Sequence, residues 1–169
     1  MKPISVHPEE GKWTWERADK IADFCRQNGI KLRGHTLMWH NQMCDWMFYD
    51  KKHKLVKKEV LYQRMRDHIH TVVNRYKDVV YCWDVFNECI TDGSRRPGAE
   101  DQPLRESTFY KICGNDEFIR KAFEFAREAD PNALLFYNDY NECDPVKRDR
   151  IYEMVKEMKA AGVTIDGIG

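Results

Sequence analysis

The 169-residue sequence lacks an excess of either charge. Its 28 Lys and Arg stand against 28 Asp and Glu, for a formal net charge of zero. Binding to nucleic acid or to an acidic membrane surface draws on a positive excess, so neither is an expected partner. No stretch reaches the roughly 20 apolar residues that a membrane-spanning helix needs, and no basic-then-apolar leader opens the chain. The six cysteines, Cys25, Cys44, Cys82, Cys89, Cys113 and Cys143, form no C-x-x-C. That disfavours a zinc ribbon or a redox dithiol and leaves free, mostly buried thiols as the expectation. Neither G-x-G-x-x-G nor G-x-x-x-x-G-K-[ST] occurs, which removes the usual phosphate cradles. H-E-x-x-H is absent too, and His68 and His70, two apart on a helical segment, point to different faces. No metal site is expected.

What is present is an ordinary globular balance, 42% hydrophobic and 33% charged, in a length that suits one domain. Aromatics reach 12%, with five Trp and eight Tyr, which suits a sugar-binding site and equally a well-packed core. Four segments carry helical periodicity. Residues 15–28 align Ala18, Ile21, Ala22 and Cys25 and stop at Asn28-Gly29, a good C-terminal cap. Residues 57–75 align Leu61, Met65, Ile69, Val72 and Tyr76. Residues 117–129 align Phe118, Ala122, Phe125 and Ala129 and end at Asp130-Pro131. Residues 145–161 start with Asp144 as N-cap and Pro145 at the first helical position, align Ile151, Val155 and Met158, and end before Gly162. Four strand-like runs alternate with them: Ile30–Thr36, Val79–Asn87, Leu134–Tyr137 and Ile165–Ile168. The alternation predicts an α/β fold with parallel strands.

Helix-to-strand links are short, whereas the strand-to-helix links, roughly 37–56 and 88–116, are long. Catalytic groups gather at the carboxyl ends of strands in such folds, and those links hold Trp39, His40, Gln42, Trp46, Glu88 and Asp92. In the run Tyr81-Cys82-Trp83-Asp84-Val85-Phe86-Asn87-Glu88, strand alternation predicts Cys82, Asp84, Phe86 and Glu88 on one side. A carboxylate within a strand needs a partner, so Asp84 is expected to be paired inside the fold. Glu88 falls at the strand end, where it either serves a substrate or begins a solvated loop. His35 either hydrogen-bonds a substrate or is a satisfied strand-end histidine.

Several longer motifs then coincide. Gly34-His35-Thr36-Leu37-Met38-Trp39-His40-Asn41-Gln42 resembles the G-H-T-L-x-W-H-x-Q segment of glycoside hydrolase family 10, the endo-1,4-β-xylanases. Trp83-Asp84-Val85-Phe86-Asn87-Glu88 resembles that family's W-D-V-x-N-E motif, Tyr137-Asn138-Asp139-Tyr140-Asn141 its Y-N-D-Y-N, Asp166-Gly167-Ile168-Gly169 the start of its D-G-I-G-x-Q-x-H, and Met1-Lys2-Pro3 the end of its N-E-M-K-P. The motifs span the chain in the family's order. The resemblance implies a (β/α)8 barrel, of which this chain holds about four parallel strands with their helices. It implies Glu88 as general acid/base, with Asn87 on the sugar 2-hydroxyl. Lys2, His35, Trp39 and Gln42 would line the glycone side, Asn138 and Tyr140 the cleavage point and aglycone side, and Asp84 would support the network from below. Phe86 stands where the family often has a smaller aliphatic residue. The resemblance further implies no metal or organic cofactor, xylan or xylo-oligosaccharides as partners, and an extracellular parent enzyme.

Such barrels usually run to about 250 residues. Residues 1–169 are therefore expected to be a partial catalytic barrel, truncated at both ends and carrying the acid/base without the family's T-E-x-D nucleophile segment. Such a piece is expected to be inactive alone and either to self-associate or to pair with the missing segments. Two other readings stay open: a non-catalytic xylan-binding half-barrel, and a barrel glycosidase acting on another β-1,4-glycan. Ser94-Arg95-Arg96-Pro97-Gly98, within 93–106, either contacts polysaccharide or is a solvated charge run.

Overall fold

The structure is a computed structural model that describes residues 1–92 and 102–169. Along the chain run α1 (Pro3–Val6), α2 (Glu16–Gln27), β1 (Leu32–Trp39), α3 (Asp45–Phe48), α4 (Lys58–Tyr76), β2 (Val80–Asn87), α5 (Thr108–Cys113), α6 (Glu117–Ala129), β3 (Leu134–Asn138), α7 (Pro145–Ala160) and β4 (Gly167–Ile168). The four strands form one parallel sheet in the order β1-β2-β3-β4, so each strand lies beside its predecessor. Sequential order with intervening helices puts every strand's carboxyl end on one rim.

The helices follow from their apolar stripes. On α4, Leu61, Met65, Ile69, Val72 and Tyr76 are all fully buried, and α4 packs on α6 and β1. Helix α6 buries Phe118, Ala122, Phe125 and Ala129 as its periodicity predicts, and lies against β2 and β3. Asp144 caps α7 by accepting from the backbone N–H groups of Val146 and Lys147, with Pro145 in the first turn. Helix α2 ends at Asn28, with Gly29 in the left-handed region at φ 63°. One residue departs from its stripe: Ile21 is 55% exposed although Ala18, Ala22 and Cys25 of the same stripe are buried. All six cysteines are free; Cys25, Cys44, Cys82 and Cys89 are buried, Cys113 is half-buried and Cys143 is exposed. Among the described residues, no helix is long and apolar enough to cross a membrane.

The strand alternation expected for β2 fails at Phe86. Its ring packs on Phe109 of α5 and Phe118 of α6, with centroids 5.1 and 5.3 Å away, on the helix side of the sheet. Asp84 instead reaches Arg33 and His35 on β1. The cause is a break in register. Asp84 faces Phe136 and Phe86 faces Tyr137, so β2 carries one extra residue there, and β1 does the same between His35 and Met38. An inserted residue inverts which side each later side chain takes. Asn87, rather than Phe86, therefore shares the side of Asp84.

Candidate active site

The last residues of three strands stand in one row: Trp39 of β1 pairs in register with Asn87 of β2, and Asn87 with Asn138 of β3. Asn138 Nδ2 donates to Asn87 Oδ1 at 2.7 Å, and Asn87 Nδ2 donates to Glu88 Oε1 at 3.2 Å. The two amides thus form a relay that ends on the Glu88 carboxyl. Glu88 is half-buried and sits in the left-handed region at φ 56°, one residue past the strand. Its N–H donates to the Asn138 carbonyl at 2.9 Å, and its own carbonyl accepts from Arg105 Nε at 3.1 Å. A non-glycine residue rarely adopts this backbone, and here hydrogen bonds from β3 and from Arg105 hold it there.

Below this row Asp84 has the partners that its burial demands. Its side chain is 3% exposed. Oδ1 accepts from Arg33 Nε and Nη2 at 3.0 and 2.6 Å, and Oδ2 lies 2.9 Å from His35 Nδ1. Arg33 also donates to Asn138 Oδ1 at 3.1 Å, so one guanidinium ties β1 to the middle of β2 and the end of β3. The Asp84 hydrogen bonds push the Arg33 guanidinium further toward its charged form.

Beside it, Lys2 Nζ donates to Gln42 Oε1 at 2.5 Å and lies 4.7 Å from the centroid of the Trp39 ring. His35 is 6.4 Å from the same ring. Trp39 Nε1 and His40 Nδ1 are buried without a hydrogen-bond partner among the described residues. Burial lowers the His40 pKa, helped by the Arg105 charge and opposed by Glu88 and Asp139, so the ring favours its neutral form. On the far side, the Tyr140 hydroxyl donates to Asp92, and Arg105 Nη2 donates to that hydroxyl oxygen at 3.3 Å.

The nine residues expected from sequence therefore fall into one connected arrangement. Lys2, Gln42, Trp39 and His35 occupy one flank, Glu88, Asn87, Asn138 and Asp84 the centre, and Tyr140 the other flank, joined to Glu88 through Arg105. Sequence reasoning missed Arg33, Arg105 and Lys147, whose ammonium pairs with Asp92 and Asp139 beside Tyr140, as members. Asp84 demanded a cation, but nothing in one sequence says that an arginine two positions before His35 supplies it. Among the described residues no cluster of three or more His, Cys, Asp or Glu could hold a metal. Residues 94–98 lie outside the described residues.

Comparison with known proteins matches residues 1–169 to Glycosyl hydrolase family 10. The chain is 63% identical to the endo-1,4-beta-xylanase/feruloyl esterase of Xylanibacter ruminicola, over 99% of this chain and 24% of that protein. It is 48% identical to endo-1,4-beta-xylanase B of Paenibacillus barcinonensis, over 100% of this chain and 49% of that protein. Among solved structures, a psychrophilic family 10 endo-beta-1,4-xylanase superposes with a TM-score of 0.95 at 60% identity, covering 100% of this chain and 51% of that one. The chain thus spans a quarter to about half the length of these relatives, and its four strands are part of a (β/α)8 barrel. With the strand-end row and the full-length match in agreement, the chain belongs to glycosyl hydrolase family 10.

Proposed function

We propose that this chain supplies the acid/base half of a retaining endo-1,4-β-xylanase site, acting on xylan and xylo-oligosaccharides. The observation that carries the reading is Glu88 at the end of β2, with the Asn138–Asn87 amide relay ending on its carboxyl. A retaining glycosidase uses two carboxyls about 5–5.5 Å apart, one that protonates the leaving oxygen and one that attacks the sugar. Glu88 suits the first of these roles, being half-buried at the rim, where a glycosidic oxygen can reach it. Asn87 is the amide beside it for the sugar 2-hydroxyl. Lys2, Gln42, His35 and Trp39 form the flank that binds the glycone, with a charge, an amide and an indole face to match hydroxyls and apolar sugar faces. Tyr140 and Asn138 serve the cleavage point and the aglycone side, and Asp84 holds Arg33 and His35 in place beneath them.

The nucleophile is proposed to come from outside these residues. Three carboxylates near the rim are each tied to a cation: Asp84 to Arg33, and Asp92 and Asp139 to Lys147. In a complete barrel carrying this chain, Glu88→Ala is expected to cut hydrolysis of xylan by about 10²–10⁴-fold, the usual worth of a general acid. Aryl xylosides with good leaving groups should still form the glycosyl-enzyme, and azide should restore turnover by attacking it without a base. Equal loss on both substrates without azide rescue, or xylo-oligosaccharide binding without any hydrolysis by the unsubstituted barrel, overturns the assignment. Trapping the glycosyl-enzyme with a 2-fluoro xyloside and locating the label on a carboxylate within residues 1–169 overturns the external nucleophile.

A further inference from the structure

Lys147 is a charge that its own helix does not explain. It stands in the first turn of α7, where the helix dipole disfavours a cation, and its side chain is 1% exposed. Removing an ammonium from water is costly unless it is fully paired. The pairing is with Asp92 Oδ1 at 2.7 Å and Asp139 Oδ1 at 2.8 Å, and Nζ also lies 3.7 Å from the centroid of the Tyr140 ring.

Both carboxylates lead to the segment 88–90 and meet at Ile90. The other oxygen of Asp139 accepts from the Tyr137 hydroxyl, whose oxygen accepts the backbone N–H groups of Cys89 at 2.9 Å and Ile90 at 3.2 Å. The other oxygen of Asp92 lies 3.5 Å from Arg105 Nη2, and Arg105 donates to the carbonyls of Glu88 at 3.1 Å and Ile90 at 3.2 Å. Backbone donors and acceptors of residues 88–90 are thus clamped together, and Glu88 is kept at its left-handed φ of 56°.

We propose that Lys147 is a positioning residue for Glu88, acting through Asp139–Tyr137 on one side and Asp92–Arg105 on the other. The inference rests on the reading of Glu88 as acid/base. Without the ammonium, Asp92 and Asp139 lose their common counter-charge, and the fully buried Asp139 carboxylate is left, among the described residues, with only the Tyr140 N–H and the Tyr137 hydroxyl as partners. That loss loosens the Tyr137 and Arg105 clamps. Proton delivery to a leaving oxygen depends on placement to within a fraction of an ångström, whereas attack on a substrate whose leaving group departs unprotonated does not use the acid.

The test compares kcat/KM for xylotetraose and for dinitrophenyl β-xylobioside in a complete barrel carrying this chain. Lys147→Met is expected to lower the first by about 30-fold or more, part of the ~10²–10⁴ that a general acid contributes, and the second by less than about threefold. A merely structural lysine would lower both equally; equal loss, or no loss on xylotetraose, overturns the proposal. If Lys147→Met does not fold, Asp92→Asn carries the test from the rim, where that carboxylate is 41% exposed; the same split is expected, and equal or no loss overturns the proposal. An unsubstituted barrel that cleaves neither substrate overturns the xylanase reading itself. One that cleaves both while the variants show no split overturns only the role of Lys147.

Discussion

Asp84 and Trp39 show how differently two neighbours in the site are constrained. Asp84 is enclosed, and its two oxygens are matched to an arginine and a histidine; its environment is fixed by folding whether or not a sugar is present. Trp39 is half-buried at the rim, with a lysine ammonium over one face and its indole N–H unpartnered among the described residues. A buried polar N–H is normally satisfied, so on the proposed xylanase reading this group is one that a sugar hydroxyl would satisfy. Trp39→Ala is therefore expected to raise KM or lower kcat of the complete barrel with only a small fall in thermal midpoint. A core tryptophan would instead lose roughly 3–5 kcal/mol of stability, and a loss of that size with kinetics intact would place Trp39 in the core. At this scale the sequence was legible where a motif fixed a residue's place, as for Glu88 and Asn87 at the end of β2. It was illegible where a partner came from another strand. Arg33 falls inside the run Ile30–Thr36 with nothing local to name its partner, and only the register of β1 against β2 brings it to Asp84.

Among the elements, the long helices were readable because three or four turns of periodic apolar residues leave little ambiguity. Helices α1, α3 and α5 were not, since four to six residues are too few to show a period. The side taken by Phe86 was misread because a register break inside a strand leaves no local trace. One contact between elements was also invisible in sequence. His7, which ends α1, and His68 of α4 meet with Nδ1 atoms 3.1 Å apart, and both rings are buried. One ring must donate through Nδ1 and the other accept, so the contact needs a neutral acceptor. Burial lowers His7 to about 4, with Glu10 opposing, and lowers His68 to about 3, with the His7 charge adding to the effect.

The sign follows from linkage. An unfolded histidine takes up its proton near pH 6.5, while these two remain neutral until about pH 4 and about pH 3. Between those limits the unfolded chain binds more protons, so stability is lost as pH falls through 6.5 and recovered as it rises, at roughly 1.4 kcal/mol per unit of separation. The thermal midpoint is expected to fall steadily from pH 7 to pH 4.5, above the range where most carboxylates protonate. His40, also lowered by burial, contributes in the same window, so the variant comparison isolates the pair. His68→Leu should flatten the slope; an unchanged slope in that variant removes the pair as its source.

The whole molecule is an arc with two lateral boundaries, and both are apolar. Among the described residues β1 pairs only with β2, and β4 only with β3. Next to the first boundary α2 exposes Ile21 and Phe24, the latter 59% accessible, and beside the second Tyr152 of α7 and Ile168 of β4 are 62% and 47% accessible. Unpaired strand edges recruit other strands, and a barrel removes them by closing on itself. In relatives that are two to four times longer, the rest of the chain is available to do so. A polypeptide of these 169 residues alone has only other copies of itself. It is expected to self-associate, and light scattering should give a mass at least twice that of the monomer, falling when Phe24 and Tyr152 are both replaced by Glu. If the nucleophile comes from outside these residues, as proposed, association supplies only a second Glu88, and the assembled copies should bind xylo-oligosaccharides without releasing reducing sugar. A compact monomer at micromolar concentration would defeat the edge argument. Turnover with net retention by the purified segment would show that a carboxylate among these residues, Asp84, Asp92 or Asp139 included, can leave its cation and attack the sugar.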